Sequence, residues 1–492
     1  ISFEAALSEI GQDKAELKNE EQVKKIIQDI GRENFIVKTV KKRLTKRNPA
    51  PPFTTSSLQQ EAYRKLNFTA KKTMRVAQQL YEGLDLSETE GTVGLITYIR
   101  TDSTRVSTEA QSEARDYISK KHGQEYLPEK PREAVNKGKI QNAHECIRPT
   151  NVSRSPESIK QYIKPDQYKL YKLVWERFIA SQMASAQLET TTVDLKVKNY
   201  LFRVSGSVMV FPGFTKVYEE GKDKQEKESN EHIPLLQEGE EVALEKLMPK
   251  QHFTQPPPRY TEATLIKTLE ENGIGRPSTY APILDTILSR GYVEKVQKQY
   301  TPTELGFIVV DLLKKYFQDI IDVEFTANME LKLDQIEEGE ANWEEIVFDF
   351  FRPFKAELET AEKAIGHIDI QDEETDVVCE KCGRRMVIKH GRFGKFLACP
   401  GFPECRYTKP LLTETGAKCP QCSDGKIVIR NTKKGKKFYG CSNYPECQFV
   451  SWDEPSNEKC PECQGILYIK RARGKGDRLV CANKDCGYSR AN

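Results

Sequence analysis

The sequence predicts a multidomain α+β protein with helical and β-rich regions and small cysteine-rich modules at its C-terminal end. Three observations support this fold class. A chain of 492 residues is long enough for several domains. Apolar residues recur at helical spacing over 58–81 and 166–187, and the period changes to strand alternation over 190–208. Twelve of the 13 cysteines lie in paired clusters after residue 378.

Local patterns place the elements of the first half. A helix over 20–29 and a strand over 35–40 precede a basic run, 41–47, whose composition is typical of a solvated strand face. Ser57 and Gln60 form an S-x-x-Q capping box that opens the next helix. The remaining predicted elements are helices from 69 to 82, 108 to 121 and 166 to 187, strands over 190–197, 201–208 and 241–246, and a polar loop over 219–231.

A helix pair with a short hairpin is predicted in the second half. A helix over 261–272 is followed by a tight turn, a second helix that begins at Pro277 and ends at Arg290, and strands over 292–302. This order is that of a winged-helix-like DNA-binding unit or of an ordinary αα-hairpin. Arg276, expected at a helix N-terminus, and Arg290 are candidate phosphate contacts. Helices over 304–316 and 342–365 and an acidic linker over 367–377 follow.

The cysteine spacing predicts three structural zinc sites. Each cluster pairs a C-x2-C with a second cysteine pair 16 to 18 residues later, and four thiolates close a tetrahedral site without an open position. Disulfides or a redox role are the alternative. The predicted ligand sets are Cys379, Cys382, Cys399 and Cys405; Cys419, Cys422, Cys441 and Cys447; and Cys460, Cys463, Cys481 and Cys486.

The cysteine-rich tail is also basic. Residues 376–492 carry 23 Lys and Arg against 12 Asp and Glu, although the net charge of the chain is only +3. Phe393, Phe396 and Tyr439 alternate with Lys and Arg on the predicted ribbons. Rings of this kind stack on unpaired bases while the cations meet phosphates, or they simply pack the small modules. A polyanionic partner is therefore expected for the tail.

The run 93–99 predicts a buried strand that ends in a polar tail. Alternation would place Tyr98, Arg100 and Asp102 on one face. A phenol has a pKa of about 10 and needs a cation to act as a nucleophile at neutral pH, which Arg100 can supply. An ordinary tyrosine on a core strand is the other interpretation.

Two segments carry a family resemblance. Residues 94–103, GLITYIRTDS, closely resemble the active-site segment of type IA DNA topoisomerases, and residues 143–150, AHECIRPT, resemble the AHEAIRP segment of the same family. The stretches 53–62 and 252–296 and the zinc ribbons are also similar to bacterial topoisomerase I. Topoisomerase III and the topoisomerase half of reverse gyrase are nearer rivals, and three four-cysteine ribbons favour topoisomerase I. A non-enzymatic zinc-ribbon protein that binds single-stranded nucleic acid is the alternative from another class.

The resemblance implies roles for individual residues. Tyr98 would attack a DNA phosphodiester and become linked to the 5′ phosphate, with Arg100 stabilising the phosphate and the phenolate. His144 would lie at the cleavage site, and Arg148 would support phosphate binding or packing. Cys146 stands where the family usually has a small residue, so a small buried side chain is expected there.

The resemblance also implies a domain plan and an activity. The activity is relaxation of negatively supercoiled DNA by single-strand cleavage, strand passage and religation without ATP, and no P-loop pattern occurs. The expected parts are a β-rich arch (1–57 and 185–248), a helical cleavage domain with the catalytic tyrosine (58–184), a winged-helix-like helical domain (249–366), a linker (367–377) and three zinc ribbons (378–412, 413–455 and 456–492).

Cofactors and partners follow from the same resemblance. The family binds Mg²⁺ through a D-x-D-x-E set in an N-terminal domain, and no such set follows a strand here. The chain begins with Ile1, so it is expected to be a fragment with little or no activity alone. Expected partners are single-stranded or negatively supercoiled DNA and, through the zinc tail, RNA polymerase. The resemblance implies a monomer in the bacterial cytoplasm, at the nucleoid. No run of about 18 apolar residues occurs, so no membrane span is expected.

Overall fold

The computed structural model describes residues 2–86, 91–133, 144–221, 223, 233–365, 373–391, 394–431, 437–471, 477–483 and 485–491. The chain divides into two compact units, Ile1–Ala364 and Ile365–Asn492. Phe393 and most of the polar loop predicted over 219–231 lie outside the described residues. Among the helices that are described, none has both the length and the apolar character needed to cross a bilayer.

The first unit mixes one large sheet with twelve helices among the described residues. Its elements are β1 (Ala6–Ile10), β2 (Asp13–Lys14), α1 (Glu20–Ile30), β3 (Phe35–Arg47), α2 (Thr55–Leu66), α3 (Ala70–Glu82), β4 (Leu84–Asp85), β5 (Thr92–Val93), α4 (Thr108–His122), α5 (Pro156–Ile159), α6 (Pro165–Ser181), β6 (Ala186–Val197), β7 (Tyr200–Phe211), β8 (Glu241–Val242), α7 (Glu262–Glu271), α8 (Tyr280–Ser289), β9 (Val293–Val296), β10 (Gln299–Pro302), α9 (Glu304–Tyr316), α10 (Gln318–Ile321), α11 (Val323–Glu337) and α12 (Trp343–Ala364).

The large sheet is antiparallel, with the strand order β2-β1-β7-β6-β3-β8. The basic run 41–47 is the second half of β3, which pairs with β6 as far as Arg47 opposite Ala186. Val37, Val193 and Val204 belong to a buried cluster on one side of the sheet. Beyond this cluster the three long strands continue with exposed side chains on both faces.

The helices α2, α3 and α6 build the main core, which includes the fully buried Phe53, Leu58 and Phe178. Helix α3 begins after Thr69 and ends at Gly83 as predicted, because Thr69 Oγ1 accepts from Lys72 N and Gly83 has a φ of 115°. Helix α2 begins earlier than predicted. Its capping box is Thr54 with Ser57, not Ser57 with Gln60.

Three predicted elements differ in the structure. Helix α6 ends at Ser181, since the chain turns at Gln182 to enter β6. Strand β8 has two residues instead of six. The first strand of the first ribbon begins at Glu373, inside the stretch expected to be a linker, because Glu373 pairs with Ile388.

The strand predicted over 93–99 is wrong. Only Thr92–Val93 is a strand, and Ile96 makes an isolated bridge with Pro149. The apolar side chains Leu95, Ile96 and Ile99 are nevertheless fully buried. The apolar pattern therefore indicated buried side chains correctly but did not indicate strand pairing. The N-terminus of α2 and the irregular segment 144–150 supply the hydrogen bonds of its backbone instead.

The helix start predicted at Pro277 is also wrong. Helix α8 begins at Tyr280, and residues 277–279 form a turn. The turn closes on itself, because Arg276 N donates to Thr279 Oγ1 and Thr279 N donates to Arg276 O. Arg276 therefore does not lie at a helix N-terminus. The hairpin that follows, β9 with β10, agrees with the prediction.

The second unit consists of three four-stranded antiparallel sheets, one for each cysteine cluster. Asn457 joins the second and third modules, since its amide accepts from Lys418 N at 2.8 Å and donates to Gly416 O at 3.0 Å. The strands are β11 (Glu373–Val378), β12 (Arg385–Gly391), β13 (Gly394–Ala398), β14 (Thr408–Pro410), β15 (Thr413–Lys418), β16 (Lys426–Asn431), β17 (Lys437–Cys441), β18 (Val450–Ser451), β19 (Glu454–Lys459), β20 (Ile466–Arg471), β21 (Asp477–Cys481) and β22 (Ser489–Ala491).

Candidate active site

The two motif segments, 94–103 and 144–150, run side by side in opposite directions. Thr97 N donates to Arg148 O at 2.9 Å, and Arg148 N donates back to Thr97 Oγ1 at 3.0 Å. Thr97 Oγ1 also donates to Cys146 O at 2.6 Å, and Thr150 N donates to Leu95 O at 3.0 Å. The fold therefore brings together two segments that are distant in sequence.

Tyr98 lies between two aromatic rings. The His144 ring is 5.0 Å from the Tyr98 ring with a tilt of 31°, and the Tyr81 ring meets it edge-on at 5.6 Å. Tyr81, at the end of α3, is 39% exposed and not part of the core stripe that its helical spacing suggests. Sequence analysis missed this contact, since nothing in the local pattern separates Tyr81 from a core residue.

The N-terminus of α2 fixes the backbone after Tyr98. The buried Thr55 hydroxyl donates to Ile99 O at 2.7 Å and to Thr101 O at 3.0 Å, and Thr55 N donates to Thr101 O at 2.8 Å. A Cβ on Gly94 would lie 2.8 Å from Tyr81 O, so a glycine is required where the segment crosses the end of α3. Because these hydrogen bonds are buried, they hold the backbone next to Tyr98 in place without regular secondary structure.

The two arginines predicted near Tyr98 have different surroundings. Arg100 is exposed and, among the described residues, has no hydrogen-bond or ion-pair partner. Arg148 is engaged, because its Nε donates to Glu145 Oε2 at 2.8 Å and its NH1 donates to Pro149 O at 3.1 Å. Arg100 is thus free to meet an anion, whereas Arg148 packs beneath the segment. Cys146 is fully buried as predicted, and burial raises the pKa of its thiol to about 12.

Arg276 approaches the site from the α7–α8 turn and is held by α11. Its Nε and NH2 donate to the two carboxylate oxygens of Asp334 at 3.1 and 2.7 Å. Desolvation raises the pKa of the Asp102 carboxylate above its ordinary value. The charges of Arg276 and His144 oppose this rise without cancelling it. Arg276 and His144 therefore act on the same carboxylate, four residues after Tyr98. Arg290, the other predicted phosphate contact, is an exposed residue at the end of α8.

A second carboxylate, that of Glu270, lies beside this group. Ser56 Oγ donates to Glu270 Oε2 at 2.8 Å, and Gln60 Nε2 donates to the same oxygen at 3.4 Å. Burial raises the pKa of Glu270, and the negative charges of Glu271 and Asp102 add to the rise. Sequence analysis did not single out Glu270, because an acidic residue in the last turn of a helix carries no distinctive pattern.

The cysteine clusters have the geometry of metal sites. In each cluster the four sulfurs lie within 4.8 Å of one another, with close pairs at 3.2 to 3.7 Å. A tetrahedron with Zn–S bonds of about 2.3 Å requires a sulfur separation near 3.8 Å. Backbone N–H groups of Gly401, Gln421 and Asn443 donate to cysteine sulfurs at 3.4 Å, which favours thiolates. The residues present therefore fit three zinc ions.

Among the ribbon rings that the structure describes, the most exposed are not the predicted Phe396 and Tyr439. Phe396 is half-buried, and Tyr439 packs against the core of the second ribbon. Phe402, at 68% exposure, and Tyr444, at 58%, instead lie in the loops between the last two cysteines of the first and second ribbons. The guanidinium of Arg406 is 5.6 Å from the Phe402 ring, and that of Arg430 is 5.2 Å from the Tyr444 ring. The sequence signal that could have pointed to Phe402 and Tyr444 is their position between the last two cysteines of a ribbon.

Comparison with known proteins defines the class. Residues 2–348 match the family described as DNA topoisomerase. Residues 376–414, 416–456 and 457–491 each match the topoisomerase DNA-binding C4 zinc finger. The chain therefore belongs to the bacterial type IA DNA topoisomerase I family.

The comparison with solved structures finds a relative of this chain. The chain is similar to full-length topoisomerase I from Thermotoga maritima, with 36% sequence identity and a TM-score of 0.61. The match covers 88% of this chain and 66% of the Thermotoga chain. The chain thus spans a little less than two thirds of that relative.

Proposed function

We propose that this chain carries the nucleophile of a type IA topoisomerase reaction, with Tyr98 as the nucleophile. The observation that supports this most directly is the pairing of segments 94–103 and 144–150, which sets the His144 ring against the Tyr98 ring. Neither segment is a regular helix or strand, and Tyr98 and His144 are only half-buried although residues beside them are part of the core. A nucleophile of this kind must be accessible to its substrate, and the partial exposure of both side chains is consistent with this role.

The proposed step is a transesterification. The Tyr98 phenolic oxygen attacks a DNA phosphorus, a bond from Tyr98 to the 5′ phosphate forms, and the bond from phosphorus to the 3′ oxygen breaks. The phenol loses its proton and the 3′ oxygen gains one, so that a 3′ hydroxyl is released. Arg100 faces the phosphate and stabilises the phenolate and the developing charge. Reversal by the 3′ hydroxyl reseals the strand without ATP, because the ester conserves the bond energy.

His144 supports the cleavage site in this proposal. An imidazole changes protonation near neutral pH and can hold a phosphate or move a proton. Arg276 and Arg290 contact the DNA backbone. For Arg276, such a contact requires the guanidinium to share or leave its pairing with Asp334. Arg148 contributes mainly by fixing the segment that carries His144.

The proposed ligands of Mg²⁺ are the D-x-D-x-E carboxylates of the family's N-terminal domain. The groups of three or more metal-donor side chains within the described residues are the three cysteine clusters, which do not suit Mg²⁺. No step above passes through this ion. We propose that the D-x-D-x-E carboxylates of the family act in the complete enzyme and that the chain alone relaxes DNA weakly or not at all.

The zinc ribbons are proposed to bind single-stranded DNA. Phe393, Phe396 and Tyr439 are candidate stacking residues, and the exposed Phe402 and Tyr444 are added to them. The complete protein would act on negatively supercoiled DNA as a monomer, in the bacterial cytoplasm at the nucleoid. RNA polymerase is the proposed protein partner of the ribbons.

Covalent capture tests the proposal. A 5′-labelled and a 3′-labelled single-stranded oligonucleotide are incubated with the chain and with the chain joined to a D-x-D-x-E domain of the family, and the products are separated on denaturing gels. The expected adduct carries the DNA segment on the 3′ side of the break. Tyr98→Phe should abolish the adduct and leave non-covalent binding intact. A non-enzymatic zinc-ribbon binder would form no adduct in any form, and its binding would not respond to the substitution.

A further inference from the structure

The large sheet extends well beyond its core. The last buried cross-strand row is Val193 with Val204, next to Val40 of β3. Past this row, residues 41–47 of β3 still pair with β6, and β6 still pairs with β7. This three-stranded extension has exposed or half-buried side chains on both faces, so its faces are free to meet a partner.

One face of the extension is lined with hydroxyl groups. Thr190 and Ser207 are hydrogen-bonded across the strands at 2.9 Å, and Thr192 and Ser205 at 3.1 Å. Arg43 lies in register with the first pair and Lys41 with the second. We define the hydroxyl face by these six residues.

The opposite face is different in character. Leu44, at 57% exposure, and Val208, at 61%, flank Glu189 there. Lys42 also lies on this face, and its Nζ is 3.5 Å from Glu189 Oε2. Consecutive residues of one strand point to opposite sides of the sheet. Neighbouring residues on the two faces can therefore be compared within the same protein.

Charge separates the faces further. Lys41 and Arg43 are exposed and form no ion pair with any described residue. Asp194, the next residue of β6 on the hydroxyl face, is bound by Arg203, whose Nε donates to it at 2.6 Å. This hydrogen bond lowers the pKa of Asp194, and the charge of Lys41 lowers it further without forming an ion pair. The hydroxyl face therefore presents Lys41 and Arg43 without ion-pair partners among hydroxyl groups, which is the chemistry of phosphate contacts.

We propose that the hydroxyl face binds the sugar–phosphate backbone of duplex DNA without sequence preference. Backbone contacts of this type position nucleic acid and do not specify sequence. The face carries no aromatic ring on which an unpaired base could stack, so a duplex fits it better than a single strand. The inference rests on the proposed function, since it takes DNA as the substrate.

Lysine footprinting tests the inference on the intact chain. The chain is acetylated with and without a short blunt-ended duplex, and the modification of each lysine is measured by mass spectrometry. Lys41 is expected to be protected several-fold, while Lys42 keeps its reactivity. The readout is specific for each residue, so DNA binding by the zinc ribbons does not mask it.

Paired variants give a second measurement. Lys41→Gln with Arg43→Gln should lower the salt dependence of duplex affinity, with the slope of log K against log salt falling by about 2. Lys42→Gln with Lys46→Gln removes the same charge from the opposite face and should leave the slope nearly unchanged. Equal protection of Lys41 and Lys42, or equal slopes for the two pairs, would overturn the proposal.

The two proposals fail in different ways. If Tyr98 forms no adduct but Lys41 is protected, the duplex site stands and the reaction does not. If the adduct forms and the two lysines behave alike, the reaction stands and the duplex site does not.

Discussion

The rings of Tyr98 and His144 lie 5.0 Å apart, with their planes tilted by 31°. The two segments are joined by two hydrogen bonds between Thr97, which precedes Tyr98, and Arg148, which lies four residues after His144. The residues are thus held by backbone geometry and not by a direct polar bond between their side chains.

His144→Ala is expected to slow formation of the Tyr98 adduct by about 100-fold or more, the usual range for loss of a group that transfers a proton. Single-turnover cleavage of an oligonucleotide on denaturing gels measures the rate. Tyr81→Phe is the matched control, because it keeps the ring edge against Tyr98 and should cleave normally. If both variants retain the full rate, His144 has only a packing role.

Glu270→Gln is expected to stabilise the first unit at neutral pH. Burial raises the folded-state pKa of Glu270, so its charged form destabilises the folded state above that pKa. The cost is absent below the ordinary glutamate pKa of about 4.3, where the carboxyl is protonated both folded and unfolded. A glutamine still accepts from Ser56 Oγ and carries no charge. The melting temperature should therefore rise at neutral pH and match the wild type at acid pH.

Glu271→Gln is the control for this pH dependence, because Glu271 lies on the same helical turn and takes no part in the hydrogen bonds that Glu270 forms with Ser56 and Gln60. It removes one negative charge from outside this hydrogen-bonded group, so it should change the melting temperature much less. Equal stabilisation by the two substitutions would mean that net charge, and not desolvation of the Glu270 carboxylate, sets the effect.

Local sequence patterns predicted much of this structure. The cap and the glycine at its ends predicted α3, and the cysteine spacing predicted the ribbons. The motif segments predicted that Tyr98 and His144 belong to one site, and their rings do lie together. These features depend on residues close together in the chain or on a resemblance that covers many residues.

The features that sequence analysis missed depend on distant partners. The segment around Tyr98 is not a strand, because Thr55 and Arg148 supply hydrogen bonds that a neighbouring strand would otherwise provide. Helix α11 was not predicted, so the pairing of Asp334 with Arg276 was not foreseen either. A hydrophobic pattern indicates which side chains are buried. It does not indicate which groups form hydrogen bonds with the backbone of the buried segment.

Gly425→Ala is expected to weaken zinc binding by the second ribbon. A Cβ at this position would lie 2.4 Å from Cys441 Sγ and 2.6 Å from Cys422 Sγ, so two ligands would have to move. Gly440→Ala is the control in the same ribbon, because its Cβ would meet its nearest atom at an ordinary 3.5 Å. Zinc retention against a competing chelator, followed with a metal-sensitive dye, should drop for the first variant and not for the second. Equal retention would show that the sulfurs adjust freely.

Loss of the exposed ribbon rings is expected to weaken single-strand binding without changing its salt dependence. Stacking of a base on an aromatic ring contributes about 1–3 kcal/mol, so Phe402→Ala or Tyr444→Ala should each raise the Kd about 5- to 150-fold. Neither substitution removes a charge, so the slope of log K against log salt should stay the same. Fluorescence anisotropy of a labelled oligonucleotide at several salt concentrations measures both quantities.

Trp343→Ala is the control for ring exposure, since Trp343 is 59% exposed in the other unit and should leave the affinity unchanged. Bound zinc must be equal in all variants, because the rings lie in loops that end at cysteine ligands. The third ribbon has no ring in the corresponding loop, 482–485, so its contribution should come from charge alone. Binding that falls equally in the Trp343 variant, or a slope that changes with the ring substitutions, would mean that Phe402 and Tyr444 do not act as stacking surfaces.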